Sequence, residues 1–288
     1  MPNLNQILTN FPQNICYEIT NTIKELKIEN DIQEIRIRVG RPILLKERET
    51  DKIINHKITQ EEILKILEKL CESSIYAYKN QICEGFLTIK GGHRIGITGT
   101  VVIENGKIIN IKYITSLNFR IAREVINCSD KIIDRIIDIQ NQNIHNTLIV
   151  SPPGKGKTTI LRDLIRKVSN GIPEKNFKGK TCGVVDERSE IAASYRGIPQ
   201  NDIGIRTDII VNIPKSLGIR MLIRSMGPEI IACDEIGGDE DIIAIKEAMQ
   251  SGVKGIFTMH GKNNEDIQNN EKIKELVDKK IIENIVFL

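Results

Sequence analysis

Residues 146–163 read NTLIVSPPGKGKTTILRD, and this stretch decides the fold. A short β-rich apolar run, TLIV, precedes a loop with two glycines, SPPGKGK. The helix-spaced segment TTILRDLIRKV follows and stops at Asn170-Gly171. Strand, loop and helix occur in the order that a phosphate-binding loop requires. The pattern GxxxxGK[ST] falls on residues 151–158, with Ser151 in place of the first glycine. Serine is small and lies at the strand's end, outside the tight inner curve, so the loop is expected to tolerate it. Gly154 and Gly156 let backbone N–H groups turn inward around a β-phosphate, and Lys157 reaches the β- and γ-phosphates. Thr158 offers a hydroxyl to Mg2+, and the helix N-terminus adds a favourable potential for an anion. With Pro152, Pro153, Lys155 and Thr159, these residues form the candidate ATP-binding segment.

Hydrolysis needs more than a cradle, and three downstream strands end in polar groups. In PEIIACDEIGGDED, the apolar run 230–233 is followed at once by Asp234 and Glu235. Asp234 is suited to the Mg2+ shell, and Glu235 to polarising the attacking water. In TCGVVDERSEI, the run 182–185 delivers Asp186 and Glu187, then Arg188. Asp186 is a further candidate for the Mg2+ shell and Glu187 for holding water beside the γ-phosphate. Arg188 is a candidate phosphate contact in its own or a neighbouring subunit, with a surface salt-bridge turn as the alternative. In GVKGIFTMHG, the run 256–259 carries His260 to the same edge, either as a γ-phosphate sensor or as a structural histidine. Ligands of open α/β sheets gather at the carboxyl ends of strands, so the three endings are expected to converge on one crevice.

Outward from this core the chain divides into two patterns. Residues 1–125 read as a small mixed α+β domain. A helix through Phe11, Ile15, Ile19, Ile23 and Leu26 leads into a hairpin around GRP, which alternates through Ile35, Ile37 and Val39. Thr59 with Glu62 three residues on predicts a capped helix, and Gly91-Gly92 and Asn105-Gly106 predict hairpin turns. Residues 126–288 read as an α/β domain with a mainly parallel sheet, opened by a capped helix over SDKIIDRIIDIQNQN.

Composition narrows the function classes. With 288 residues, 40% hydrophobic and 27% charged, the chain is an ordinary globular protein. Its 41 basic and 38 acidic side chains leave a net charge of +3, and aromatics make up 4%, so neither a polyanion-binding surface nor a base-stacking platform is indicated. Nucleic acid is not an expected partner. The six cysteines form no CxxC pair and read as reduced, mostly buried thiols. The opening MPNLNQILTNFPQN lacks the basic start and apolar stretch of a secretory signal, and no apolar run approaches the ~18 residues of a membrane span.

The order of phosphate loop, VVDERSE, IRSMGPEIIACDE and TMHG resembles the secretion-superfamily ATPases of type II and type IV secretion and pilus assembly. More narrowly, EIRIRVGRPILL, GGHRIGITGTVV, SLNFRIARE, VDERSEIAASYRG, RTDIIVNIPKSLGIRMLIRSMGPEIIACDEIGG and GVKGIFTMHG resemble the stage III sporulation protein AA family of endospore formers, over residues 32–261. The wider resemblance implies a RecA-like P-loop motor assembled as a hexameric ring, with ATP and Mg2+ as cofactors. The narrower one implies a cytoplasmic ATPase, peripheral at the mother-cell membrane, that works with membrane-embedded channel proteins joining mother cell and forespore. Carried over by position, residues 151–158 are the phosphate loop, Asp186 and Glu187 the acidic box, Glu235 the water-activating acid and His260 the histidine box. Secretion ATPases commonly have glycine where Asp234 stands and proline where Arg188 stands. Such rings also use an arginine finger, for which Arg120 and Arg123, then Arg94, are candidates, while Arg220 and Arg224 suit packing between subunits. A nucleotide-gated scaffold with little turnover and a nucleic-acid motor on the same core remain alternatives.

Overall fold

The structure, a computed structural model, describes residues 2–48 and 50–288. The chain separates into two units, one ending at Arg123 and the other beginning at Glu124.

In the first unit, period-two patterning builds an antiparallel sheet. Its strands are β1 (Glu34–Arg38), β2 (Pro42–Lys46), β3 (Asp51–Lys57), β4 (Phe86–Thr88), β5 (Arg94–Glu104) and β6 (Lys107–Arg120), in the order β3-β2-β1-β6-β5-β4. Helices α1 (Pro2–Leu8), α2 (Gln13–Leu26), α3 (Gln60–Leu70) and α4 (Lys79–Cys83) accompany it. Alternate strand residues, among them Ile35, Ile37, Ile95, Leu117 and Phe119, are buried in one core with Ile15, Ile19 and Ile23 of α2. Phe11 meets Phe119 with ring centroids 4.7 Å apart. Thr59 caps α3 in a full capping box with Glu62, as its spacing predicts. Strand β3 lies between the hairpin and α3, where the sequence pattern marks no element. In DKIINHK only Ile54 is buried, so the run carries little alternation to betray a strand.

The second unit is a six-stranded parallel sheet. Two-residue strands β7 (Ile137–Asp138) and β8 (Asn143–Ile144) pair by themselves ahead of it. The sheet comprises β9 (Thr147–Ser151), β10 (Cys182–Asp186), β11 (Thr207–Val211), β12 (Ile230–Cys233), β13 (Lys254–His260) and β14 (Asn284–Phe287), in the order β11-β10-β12-β13-β9-β14. Parallel neighbours need crossovers. These are α5 (Lys157–Asn170), α6 (Lys215–Met226), α7 (Asp239–Gln250) and the pair α8 (Asn264–Gln268) and α9 (Glu271–Asp278). Each sheet face buries its own core. Leu148, Val150, Val185, Ile231, Cys233 and Phe257 pack with α6, α7 and α9, while Ile149, Cys182, Val184, Ala232 and Ile256 pack with α5. Burial on both faces explains why the strands read as continuous apolar runs.

The helix expected over SDKIIDRIIDIQNQN is not there. That segment forms turns, a single 3-10 turn at Ile133–Arg135 and the β7–β8 hairpin. Ser129, placed to cap a helix, instead gives its N–H and its hydroxyl to Asp163 at 2.9 and 2.6 Å. Asp138 takes the N–H of Asn141 (3.0 Å), closing a tight turn that cuts the helical pattern. Tertiary bonding outweighs local propensity here. Among the cysteines, Cys71, Cys182 and Cys233 are buried, and burial pushes the Cys182 thiol up to about 12.

Asp163 fixes this segment to α5. It is 2% exposed and also accepts from Asn127 N–H (3.0 Å) and Arg166 (2.7 Å). Burial works to raise its pKa, but the bonds from Ser129, Arg166 and Asn127 outweigh burial and hold it below the ordinary carboxylate value. Its folded pKa therefore lies below its unfolded one. It contributes stability above the unfolded value, and that contribution disappears as pH falls through the folded value. Asp163→Ala leaves buried donors unpaired and is expected to cost about 2–4 kcal/mol at pH 7. Denaturant titrations at pH 7 and at pH 3 should show the gap between variant and wild type closing in acid.

Candidate functional site

Strand parity decides what meets at the carboxyl edge of the parallel sheet. Ile230 and Ala232 face α5, so Asp234 continues the same side beyond β12. Ile256 faces α5 too, which puts Thr258 and His260 on that side of β13. Strand β13 lies between β9 and β12, so the histidine stands between the phosphate loop and the acidic pair. The expected convergence is present.

Ser151 is the last residue of β9, 1% exposed and paired in register with His260. Its conformation is extended, so a glycine is not required at that position. Gly154 and Gly156 are in the left-handed region at φ +74° and +89°, and a Cβ at either would meet nothing within 4 Å. Conformation, not space, selects glycine at both. Pro153, Gly154 and Lys155 are exposed, while Pro152, Thr158 and Thr159 are half-buried.

Lys157 opens α5 and is 5% exposed. Its Nζ donates to the carbonyls of Ser151 (3.1 Å) and Pro152 (3.4 Å) and lies 2.9 Å from His260 Nδ1. An ammonium only donates, so Nδ1 accepts and the imidazole hydrogen sits on Nε2. That nitrogen is 2.7 Å from Glu235 Oε1, and Glu235 Oε2 is 3.4 Å from Arg188 Nη1. A continuous polar chain thus runs from Lys157 through His260 and Glu235 to Arg188. Among the described residues no carboxylate pairs with Lys157. A buried cation with only neutral partners, beside an open glycine loop, fits a bound phosphate.

Thr158 Oγ1 donates to Asp234 Oδ2 at 2.5 Å, which joins the two candidate Mg2+ ligands directly. Among the described residues no cluster of three or more His, Cys, Asp or Glu side chains has metal-binding spacing. Mg2+ at a nucleotide site is held by few protein groups together with phosphate oxygens and water, and Thr158 with Asp234 fits that mode.

The two carboxylates of the acidic box have different surroundings. Asp186 is 2% exposed, and both its oxygens accept backbone hydrogen bonds, from Glu190 (2.8 Å), Ile191 (3.1 Å) and Ala192 (2.9 Å). Desolvation pushes its pKa up against the pull of these bonds. Through these bonds its carboxyl shapes the 187–192 loop. Glu187 pairs with Lys215 at the start of α6. Glu187, Arg188, Lys215, Asp234 and Glu235 line one cleft.

Three residues at this edge escaped sequence reasoning. Lys215 holds Glu187, Arg162 of α5 donates to the carbonyls of Glu190 (2.8 Å) and Ile191, and Thr258 bonds the acidic turn. Only Thr258 had a readable signal, lying two residues before His260 on an alternating strand.

The arginine candidates are occupied to different degrees. Arg123 donates to the carbonyl of Ile32 (2.7 Å), and Arg94 stacks 3.7 Å from the centroid of the Phe86 ring. Arg120 lies 3.9 Å from Glu34. Arg220, expected at an interface between subunits, pairs with Glu247 (2.7 Å) of its own chain and so braces α6 against α7.

Known proteins resemble the chain in sequence and in fold. The family described as "Sporulation stage III, protein AA" matches residues 5–288. The stage III sporulation protein AA of Bacillus subtilis (strain 168) is 38% identical over 273 residues, spanning 95% of this chain and 87% of that one. Among solved structures, the Yersinia pseudotuberculosis ATPase DotB aligns with a TM-score of 0.60 at 14% identity, over 96% of this chain and 74% of that one. The pilus retraction motor PilT with bound ADP aligns at 0.58 and 15% identity, over 88% and 70%. At such identities the likeness is one of fold, and it carries the RecA-like α/β expectation.

Proposed function

The chain belongs to the sporulation stage III protein AA family, and we propose that it is an oligomeric Mg2+-dependent ATPase that energises or gates a membrane channel between mother cell and forespore. The observation that carries the enzymatic part is the chain of contacts Lys157–His260–Glu235, set beside the Thr158–Asp234 pair at three strand ends. Phosphate-loop N–H groups and Lys157 would bind the β- and γ-phosphates of ATP. Thr158 and Asp234 would hold Mg2+, which would supply positive charge to offset charge building on the phosphates.

The remaining work belongs to side chains. Glu235 orients the attacking water and takes its proton. His260 donates from Nε2 to Glu235, which keeps that carboxylate aimed. Once Lys157 turns to a phosphate, His260 loses its Nδ1 donor, and the state of the γ-phosphate is thereby communicated to Glu235. Arg188, 69% exposed, is free to leave Glu235 for a phosphate of its own or a neighbouring subunit. Glu187 is less suited to the base role than Glu235, because Lys215 already neutralises it.

The ring and the membrane setting rest on resemblance and kinship. No helix among the described residues is long and apolar enough to cross a membrane, and the attachment proposed here is peripheral or through partners. Titration with a fluorescent ATP analogue should give one Mg2+-dependent site per chain. Mass measurement with and without a non-hydrolysable ATP analogue should show a larger species with nucleotide. A monomer under both conditions contradicts the ring.

A further inference from the structure

Asp234 and Glu235 lie in the turn after β12, and three hydrogen bonds tie that turn to one residue of β13. Thr258 Oγ1 donates to Asp234 Oδ1 and accepts from Glu235 N–H at 2.8 Å. The Thr258 carbonyl accepts from Ile236 N–H at 2.9 Å. A hydroxyl has one hydrogen, a carboxylate only accepts and an amide N–H only donates, so both side-chain bonds have a fixed direction. Thr258 is fully buried. Its hydroxyl is a buried partner shared by the two half-buried acidic residues of the turn.

Two consequences follow for the carboxylates. Engaging Oδ1 of Asp234 leaves Oδ2 for Thr158, 2.5 Å away, and so decides which oxygen faces the phosphate loop. Glu235 has φ +55°, in the left-handed region that residues with a Cβ rarely adopt. Its N–H bond to Thr258 holds that conformation, from which the side chain reaches His260 Nε2 at 2.7 Å. Thr258 and His260 are two residues apart and share a strand face, so β13 grips Glu235 twice, by backbone and by carboxylate.

The geometry points to Thr258 as a positioning residue for hydrolysis, one that sets the orientation of both Asp234 and Glu235 without touching the substrate. The inference deepens the ATPase reading and rests on it. Thr258→Val keeps the branched shape and removes the hydroxyl, and Thr258→Ser keeps the hydroxyl. Thr258→Ala is a second deletion variant with room for relaxation.

Hydrogen exchange of a peptide covering residues 233–237 and steady-state kinetics with Mg-ATP together test it. In Thr258→Val and Thr258→Ala the Glu235 amide should exchange at least about 10-fold faster, the protecting bond being gone. Turnover should fall about 10- to 100-fold, with KM for ATP within about 2-fold, as expected when reacting groups are misaligned but nucleotide contacts remain. Thr258→Ser should recover most of both. Wild-type exchange in the two deletion variants overturns the assignment, whatever the turnover. A kcat unchanged alongside faster exchange also overturns it. If the wild-type protein itself hydrolyses no ATP, the ATPase reading fails, and the exchange result still decides whether Thr258 holds the turn.

Discussion

Lys157→Ala is expected to abolish ATP hydrolysis and to weaken ATP binding by about 100-fold or more, the loss of a buried charge-assisted contact worth about 3–5 kcal/mol. The ammonium is buried without a carboxylate partner, so in the free protein its desolvation is offset only by two carbonyls and an imidazole. An anion at the loop completes what the fold leaves uncompensated. For the same reason the substitution should change stability little. The lost hydrogen bonds are matched by removal of a costly buried charge. Equilibrium titration with a fluorescent ATP analogue, alongside a denaturant curve, separates the two effects. Wild-type affinity in this variant would place the phosphates somewhere other than the loop.

Glu235→Gln should separate binding from chemistry. The amide keeps the shape of the side chain, and its oxygen can still accept from His260 Nε2, so the chain from Lys157 to residue 235 survives. What disappears is the basic oxygen. Turnover should fall by about 10²- to 10⁴-fold, the usual contribution of a positioned general base, while ATP affinity stays within a few-fold. Arg188, deprived of its carboxylate, would lose a 3.4 Å contact that is mostly exposed, with little effect on stability. Single-turnover kinetics with the nucleotide dissociation constant check both halves. Normal turnover would shift the base role to another group, with Glu187 the next carboxylate in the cleft.

Much of the site is written locally in the chain. The order of strand, glycine loop and helix is encoded within residues 147–170, and parallel strands buried on both faces declare themselves as apolar runs that end where polarity returns. The positions of Asp234, Glu235 and His260 at the sheet's carboxyl edge were legible for that reason. The bonds of Asp186 were not, because they run to three N–H groups of a loop whose path the strand pattern does not specify. From sequence an acid at a strand end looks the same whether it faces a metal or its own backbone. The segment after Ser129 misled in the opposite sense. Its helical spacing is real, but Asp163, far along the chain, captures the residue that would have capped it. Strand β14 was hidden at the carboxyl end, where ENIVFL is too short to show a period and becomes a strand only by pairing with β9. Thr258 was visible by alternation, yet its function depends on the backbone of a neighbouring strand.

Steady-state release of inorganic phosphate from ATP by the purified protein, with Mg2+, with a chelator, and beside Glu235→Gln, tests the central claim most directly. The account predicts turnover that requires Mg2+ and falls at least about 100-fold in Glu235→Gln. A Glu235→Gln protein that releases phosphate at the wild-type rate would contradict it.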